Sequence, residues 1–95
     1  MNHPKRRADV NSQVIEGEAL VLDRQHEAIH HLNRTATHIW ERCEGSASLA
    51  DLAAQLAEAF AVEYETALGD VVRVVQDFER LRLLEVAPER PDSNP

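Results

Sequence analysis

Five histidines, one cysteine and a scatter of carboxylates are the residues of this chain that could do chemistry. His26 and His30 can share one side of a strand if it extends that far, and His38 lies one helix face away, which raises the question of a metal. Zinc takes three or four ligands in a fixed geometry. The chain has no close-spaced cysteine pair and no His-Glu-x-x-His. The histidines therefore read as surface or strand-edge residues, and no metal ligand is assigned. Cys43 with a histidine nearby suggests a thiol nucleophile, but it shares a helical face with Ile39 and Trp40 and reads as a buried, inert thiol. Glu16, Glu18 and Asp23 fall around turns, where solvated carboxylates are ordinary. No acid–base pair with a defined geometry emerges. No catalytic residue and no cofactor is assigned, and an enzyme is not expected.

The elements that carry these residues fall into two halves. In the first, Val14-Ile15 precedes a Glu16-Gly17 turn, Ala19-Leu20-Val21-Leu22 ends at Asp23-Arg24-Gln25, and Ala28-Ile29-His30-His31-Leu32 follows. Such close spacing predicts a three-stranded antiparallel β-meander. In the third strand Ile29 and His31 point one way, and Ala28, His30 and Leu32 the other.

The second half is helical. Asn33 can cap a first helix by accepting from an otherwise orphan N–H. Ala36, Ile39, Trp40 and Cys43 then share one face, and Gly45 can take the left-handed conformation that ends such a helix. Ser48 with Asp51 resembles a capping box, and Leu49, Leu52, Ala53, Leu56 and Phe60 form the buried stripe of a second helix. A third helix is expected from about Thr66 to Leu81, with Leu83-Leu84-Glu85-Val86 packing back on the core. The fold class is α+β, a meander followed by a winged-helix-like bundle of three helices.

The third helix carries more apolar surface than one core contact requires. Leu68, Val71, Val72, Val75 and Phe78 form a core face at about 100° per residue. Ala67, Val74 and Leu81 widen it to roughly half the circumference, against the narrower stripe of a surface helix. Asp70 and Asp77 lie beyond that shoulder. Either the helix is buried on two sides, or the shoulder is one wall of a groove whose other wall is a sheet edge.

Composition narrows the function classes. The net charge of −7 opposes binding to a phosphate backbone. No apolar run approaches the ~20 residues of a membrane span, and no signal-peptide core follows the basic Met1 to Arg7. A lone cysteine suits a reducing cytoplasm. Residues 1–9 and 88–95 are expected as disordered tails around a domain at 10–87.

The order Leu32-Asn33-x-Thr35-Ala36-x-x-Ile39-Trp40, then Glu44-Gly45, then Leu49 to Phe60, Asp70-Val71 and Leu83-Leu84-Glu85 resembles the PqqD family. These are small peptide chaperones of pyrroloquinoline quinone biosynthesis, within the wider group of recognition elements for ribosomally made, post-translationally modified peptides. The resemblance covers about residues 10 to 87. It implies binding of a precursor's leader and its presentation to a modifying enzyme, often of the radical SAM class. It further implies that the leader adds as a strand beside Ala28, Ile29, His30, His31 and Leu32 and packs on Asp70, Val71, Val74, Asp77 and Phe78. Unpaired N–H and C=O groups at such an edge supply affinity, and side-chain pockets supply selectivity. On this reading an apolar anchor meets Val74 and Phe78, Asp70 or Asp77 takes a basic leader residue, and Val74→Asp abolishes binding without unfolding. The open edge could equally pair with a second copy in a homodimer. The chain departs from the family at Arg82, where members usually carry Gly before the terminal Leu-Leu.

Two rival readings stand beside this one. A winged-helix DNA-binding regulator would place the third helix in the major groove, yet that helix sets Asp70, Asp77 and Glu79 against Arg73 and Arg80. A generic protein-interaction adaptor is the other.

Overall fold

Ile15 and Glu18 pair across the Glu16-Gly17 turn, where both residues have positive φ, 54° and 82°. That is the backbone a two-residue hairpin loop needs to match strand twist. Glycine adopts it freely at the second position, and Glu16 accepts a strained φ at the first. The turn joins β1 (Asn11–Ile15) to β2 (Glu18–Asp23), and a longer turn ending in left-handed Glu27 (φ 52°) leads to β3 (Ala28–Leu32). The sheet order is β1-β2-β3, antiparallel throughout, as the sequence predicts. These coordinates come from a computed structural model that describes residues 3–85.

Side-chain alternation sorts the sheet into two faces. Ala19, Val21 and Asp23 of β2 are fully buried, while Leu20 on the other face is 40% exposed. Thr37 fastens the sheet to the first helix. Its hydroxyl accepts from the Ala19 N–H at 2.9 Å and donates to the Leu32 carbonyl at 3.2 Å, so a buried hydroxyl is satisfied in both roles.

Three helices follow: α1 (Arg34–Glu41), α2 (Leu49–Phe60) and α3 (Tyr64–Arg80). Asn33 caps α1 by accepting from the Ala36 N–H at 2.8 Å. Ser48 and Asp51 form the reciprocal capping box of α2, at 3.0 and 3.1 Å. Trp40 of α1 meets Phe78 of α3 edge-on, ring centroids 5.3 Å apart, at the centre of the core.

Four details differ from the sequence reading. Helix α1 ends at Glu41, before Gly45. Gly45 is left-handed (φ 90°) beyond the helix end and also lies close to Lys5; an added Cβ would lie 3.2 Å from the lysine Cδ. Phe60 leaves the buried stripe and is 37% exposed, its ring edge-on to His38 at 5.5 Å. Helix α3 starts at Tyr64 rather than Thr66, because its cap residue Glu63 makes no side-chain hydrogen bond and so leaves no local signal. The buried face of α3 is also rotated. Ala67, Val71, Val74 and Phe78 form its centre, whereas Leu68 and Val72 are only partly covered.

Residues 1–9 are not a solvated tail where the structure describes them. Pro4 to Arg7 runs extended between two other segments. The Arg6 N–H donates to the Cys43 carbonyl and the Gly45 N–H to that of Pro4, at 2.9 and 3.0 Å. On the other side the Arg7 N–H donates to the Leu83 carbonyl and the Glu85 N–H to that of Lys5, at 3.0 and 2.8 Å. Backbone pairing with two neighbours satisfies this basic stretch without an apolar anchor of its own. The domain therefore begins several residues before residue 10. Residues 1–2 and 86–95, including Val86 and the expected tail at 88–95, lie outside the described residues.

Candidate functional site

Strand β3 pairs with β2 on one side, and among the described residues nothing pairs with its other edge. A row of unpaired backbone donors and acceptors is a template for a further strand. Beside the Leu32 end of that edge lies a groove of about 460 Å³. One wall is His31 to Asn33 with Thr35 and Ala36 at the start of α1, and the other is α3 from Asp70 to Leu81. Asn33 directly follows the last strand residue and caps the helix, so the wall passes from strand to helix through that one residue.

The groove has an apolar floor and a charged rim. Leu32 and Val74 are each 7% exposed and Phe78 is 1% exposed, so they form the floor, and Leu81, 39% exposed, rises beside them. On the rim, Asp70 pairs with Arg73 at 3.2 Å and Asp77 with Arg80, each one helical turn apart. On the strand side, His31 Nε2 lies 2.8 Å from Glu18 Oε1. Neither aspartate is a free carboxylate; a basic peptide residue would have to share it with an arginine.

Of the ten residues expected to bind a peptide, the groove brings together His31, Leu32, Asp70, Val74, Asp77 and Phe78. Ala28, Ile29 and His30 lie along the same strand edge but do not line it. Ile29 is 69% exposed on the outer face of the sheet. Val71 is fully buried in the core and lines no part of the groove. Val71 sits on the core face expected from the wheel and is buried there, while Leu81 stays on the exposed shoulder. Asn33, Thr35, Ala36, Arg73, Arg80 and Leu81 line the groove and are not assigned to it from sequence. Leu81 has a signal, as the exposed end of the apolar shoulder. The other five have none, because only the fold sets the start of α1 across from α3.

The remaining reactive groups are engaged elsewhere. Asp23, expected as a solvated turn carboxylate, is fully buried. His26 Nδ1 lies 2.7 Å from its Oδ2, and Arg7 donates to both of its oxygens. The hydrogen bond from His26 and then the Arg7 guanidinium hold this carboxyl well below the usual range. Burial of Cys43 pushes its thiol up to about 12, so it is no nucleophile near neutral pH. His38 is lowered by burial and by Arg42 nearby. Among the described residues, no three His, Cys, Asp or Glu side chains are placed to hold a metal ion.

Comparison with known proteins bears on family and fold. The family described as "Coenzyme PQQ synthesis protein D (PqqD)" matches residues 18–84 of this chain. No curated protein matches it in sequence. Among solved structures it is similar to "TbiB1 in Complex with the TbiA(beta) Leader Peptide", with a TM-score of 0.77 and 20% identity. That likeness covers 90% of this chain and 99% of the other, and at such identity it is a likeness of fold.

Proposed function

Since this chain belongs to the PqqD family, we propose that it is a peptide-recognition domain that binds the leader of a ribosomally made precursor and presents it to a modifying enzyme. The observation that carries this reading is the unpaired edge of β3 opening directly onto the groove under α3. An added strand would gain backbone hydrogen bonds from the edge and seat alternate side chains on Leu32, Val74, Phe78 and Leu81. That TbiB1, of the same fold, is held in complex with a leader peptide supports the choice of ligand.

The domain supplies recognition rather than bond-making chemistry: its one thiol is buried, and its buried Asp23 carboxylate is tied up by Arg7 and by the exposed His26. The partner is a peptide-modifying enzyme, with the radical SAM class as the family's leading candidate, and the setting is the cytoplasm. No helix among the described residues is long and apolar enough to cross a membrane. The DNA-binding reading is not favoured, because both arginines of α3 are paired with aspartates and leave no free basic row for phosphates.

The test is affinity capture from the source lysate with the tagged full-length chain, read by mass spectrometry of small peptides and of co-purifying proteins. Saturable capture of a short precursor by the wild-type chain, lost in Leu81→Asp, is the expected result. Recovery of nucleic acid instead, or of a peptide that Leu81→Asp holds equally well, would overturn the reading or its placement.

A further inference from the structure

A second and larger groove, of about 990 Å³, lies on the other side of α3. Its floor is apolar, built from Leu49, Val72, Val75 and Leu84, and its rim includes Gln25 and His26 of the β2–β3 turn. Helix α3 thus has a groove on each flank. Val74 and Leu81 face the smaller, while Val72, Val75 and Gln76 face the larger, on the opposite side of a 3.6-residue wheel.

Strand β3 connects the two. Its Leu32 end lines the smaller groove, and the turn that precedes Ala28 lines the rim of the larger. A peptide strand added antiparallel to β3, as in the rest of this sheet, starts at the Leu32 end and leaves past Ala28. It leaves toward Gln25 and His26. We propose, on the premise that a leader adds to the β3 edge, that the larger groove takes the stretch of the same precursor that follows the leader strand. The bound peptide then contacts both flanks of α3 in sequence order.

Charge favours a largely uncharged, apolar segment there. Lys5 and Arg82 are balanced on the rim by Glu79 and Glu85, and Lys5 Nζ already lies 4.0 Å from Glu85. Arg7, the third cation of the lining, is already paired with Asp9 and Asp23. A strongly charged occupant of either sign would gain little, whereas apolar side chains would cover Val72 and Leu49, which are only partly buried. The two-groove path gives the domain a second register check, since a peptide must match the strand edge and the following segment at fixed spacing.

Photo-cross-linking tests this path. Arg73, on the smaller groove, and Gln76, on the larger, are both exposed. Each is replaced singly by p-benzoylphenylalanine in the full chain. The probe is the soluble peptide fraction of the source lysate, and cross-linked residues are read by mass spectrometry. The expected result is one peptide captured at both positions, with the Gln76→p-benzoylphenylalanine contacts C-terminal to the others by at least the five residues that β3 spans. A peptide captured at position 73 alone, or with the order reversed or overlapping, overturns the two-groove path and leaves β3-edge binding standing. Capture at position 76 alone, of another protein, or of this chain's own residues 86–95, overturns it too. Capture of no peptide at either position overturns both readings.

Discussion

Arg7 and Asp23 form a two-point pair: Nη1 lies 3.0 Å from Oδ2 and Nη2 lies 3.2 Å from Oδ1. The same guanidinium donates to Asp9, to Gln25 Oε1 and to the carbonyl of Arg82. One side chain thereby ties the β2–β3 hairpin to the end of α3, the elements that bear the two walls of the candidate groove. The planar fork of arginine suits this role, and the point charge of lysine does not. Arg7→Lys should therefore lower the melting temperature clearly, and Arg7→Ala more, since it leaves the buried Asp23 carboxylate without its cation. Thermal melts followed by circular dichroism check this. Equal melts for Arg7→Lys and wild type would show that charge alone suffices.

Asp23 also makes stability depend on acid. Its carboxyl is depressed in the fold, first by His26 and then by Arg7, and Asp9 is depressed by Arg7. A depressed carboxyl contributes stability that is complete above its unfolded value, near 4, and is lost as pH falls toward the folded value. Urea midpoints should thus hold between pH 5 and 7 and drop below about pH 4. Asp23→Asn should start lower at pH 7 and fall less steeply. Parallel pH profiles for the two proteins would place the acid sensitivity elsewhere.

Helix α3 ends with Arg82 at φ 61°, its N–H donating to the Glu79 carbonyl at 3.0 Å while the Leu83 N–H donates to that of Phe78 at 2.9 Å. These are the paired bonds of a Schellman end, and the left-handed position in that motif is normally glycine. Arginine at this position therefore carries a real backbone cost. Arg82→Gly should stabilise the domain by about 1 kcal/mol, the left-handed penalty less the extra freedom of glycine in the unfolded chain. Denaturant melts at pH 7 read the difference directly.

Local chemistry made much of this fold legible. The Glu16-Gly17 turn, the Asn33 cap and the Ser48–Asp51 box each close hydrogen bonds within about three residues, so neighbouring letters announce them. The Pro4 to Arg7 rib was invisible for the opposite reason. Arg6 donates to the Trp40 carbonyl, 34 residues on, and Arg7 to that of Arg82, 75 residues on. Nothing near residues 6 and 7 encodes those partners. For α3, wheel arithmetic gave the width of the apolar arc but not its centre. Packing in the fold, with Phe78 against Trp40 at its middle, turns that centre toward Ala67 and Val74 and leaves Leu68 and Val72 only partly covered.

Cys43 is fully buried and its thiol is pushed up to about 12, chiefly by burial. The neutral thiol is the form the fold favours, so this contribution is complete below the unfolded value near 8.5 and is lost as pH rises from there toward 12. At pH 7 a thiol reagent should label the native chain only as fast as it opens, and the denatured chain at once. Fast labelling of the native chain, followed by absorbance, would contradict the burial.

Position 74 does not separate binding from folding, and position 81 does. Val74 is 7% exposed, and a carboxylate there would be desolvated among Leu32, Phe78 and the rest of the core. Val74→Asp should therefore unfold the domain, contrary to the expectation from sequence that only binding would suffer. Leu81, 39% exposed at the end of α3, lines the same groove without belonging to the core. Leu81→Asp should keep the wild-type melt within about 0.5 kcal/mol. It should weaken binding of the captured leader roughly tenfold or more, since an apolar anchor would then face a charge. Calorimetry with that peptide, alongside a melt, distinguishes the two variants. Full affinity in a folded Leu81→Asp would mean that the leader does not use the flank of α3 that faces β3.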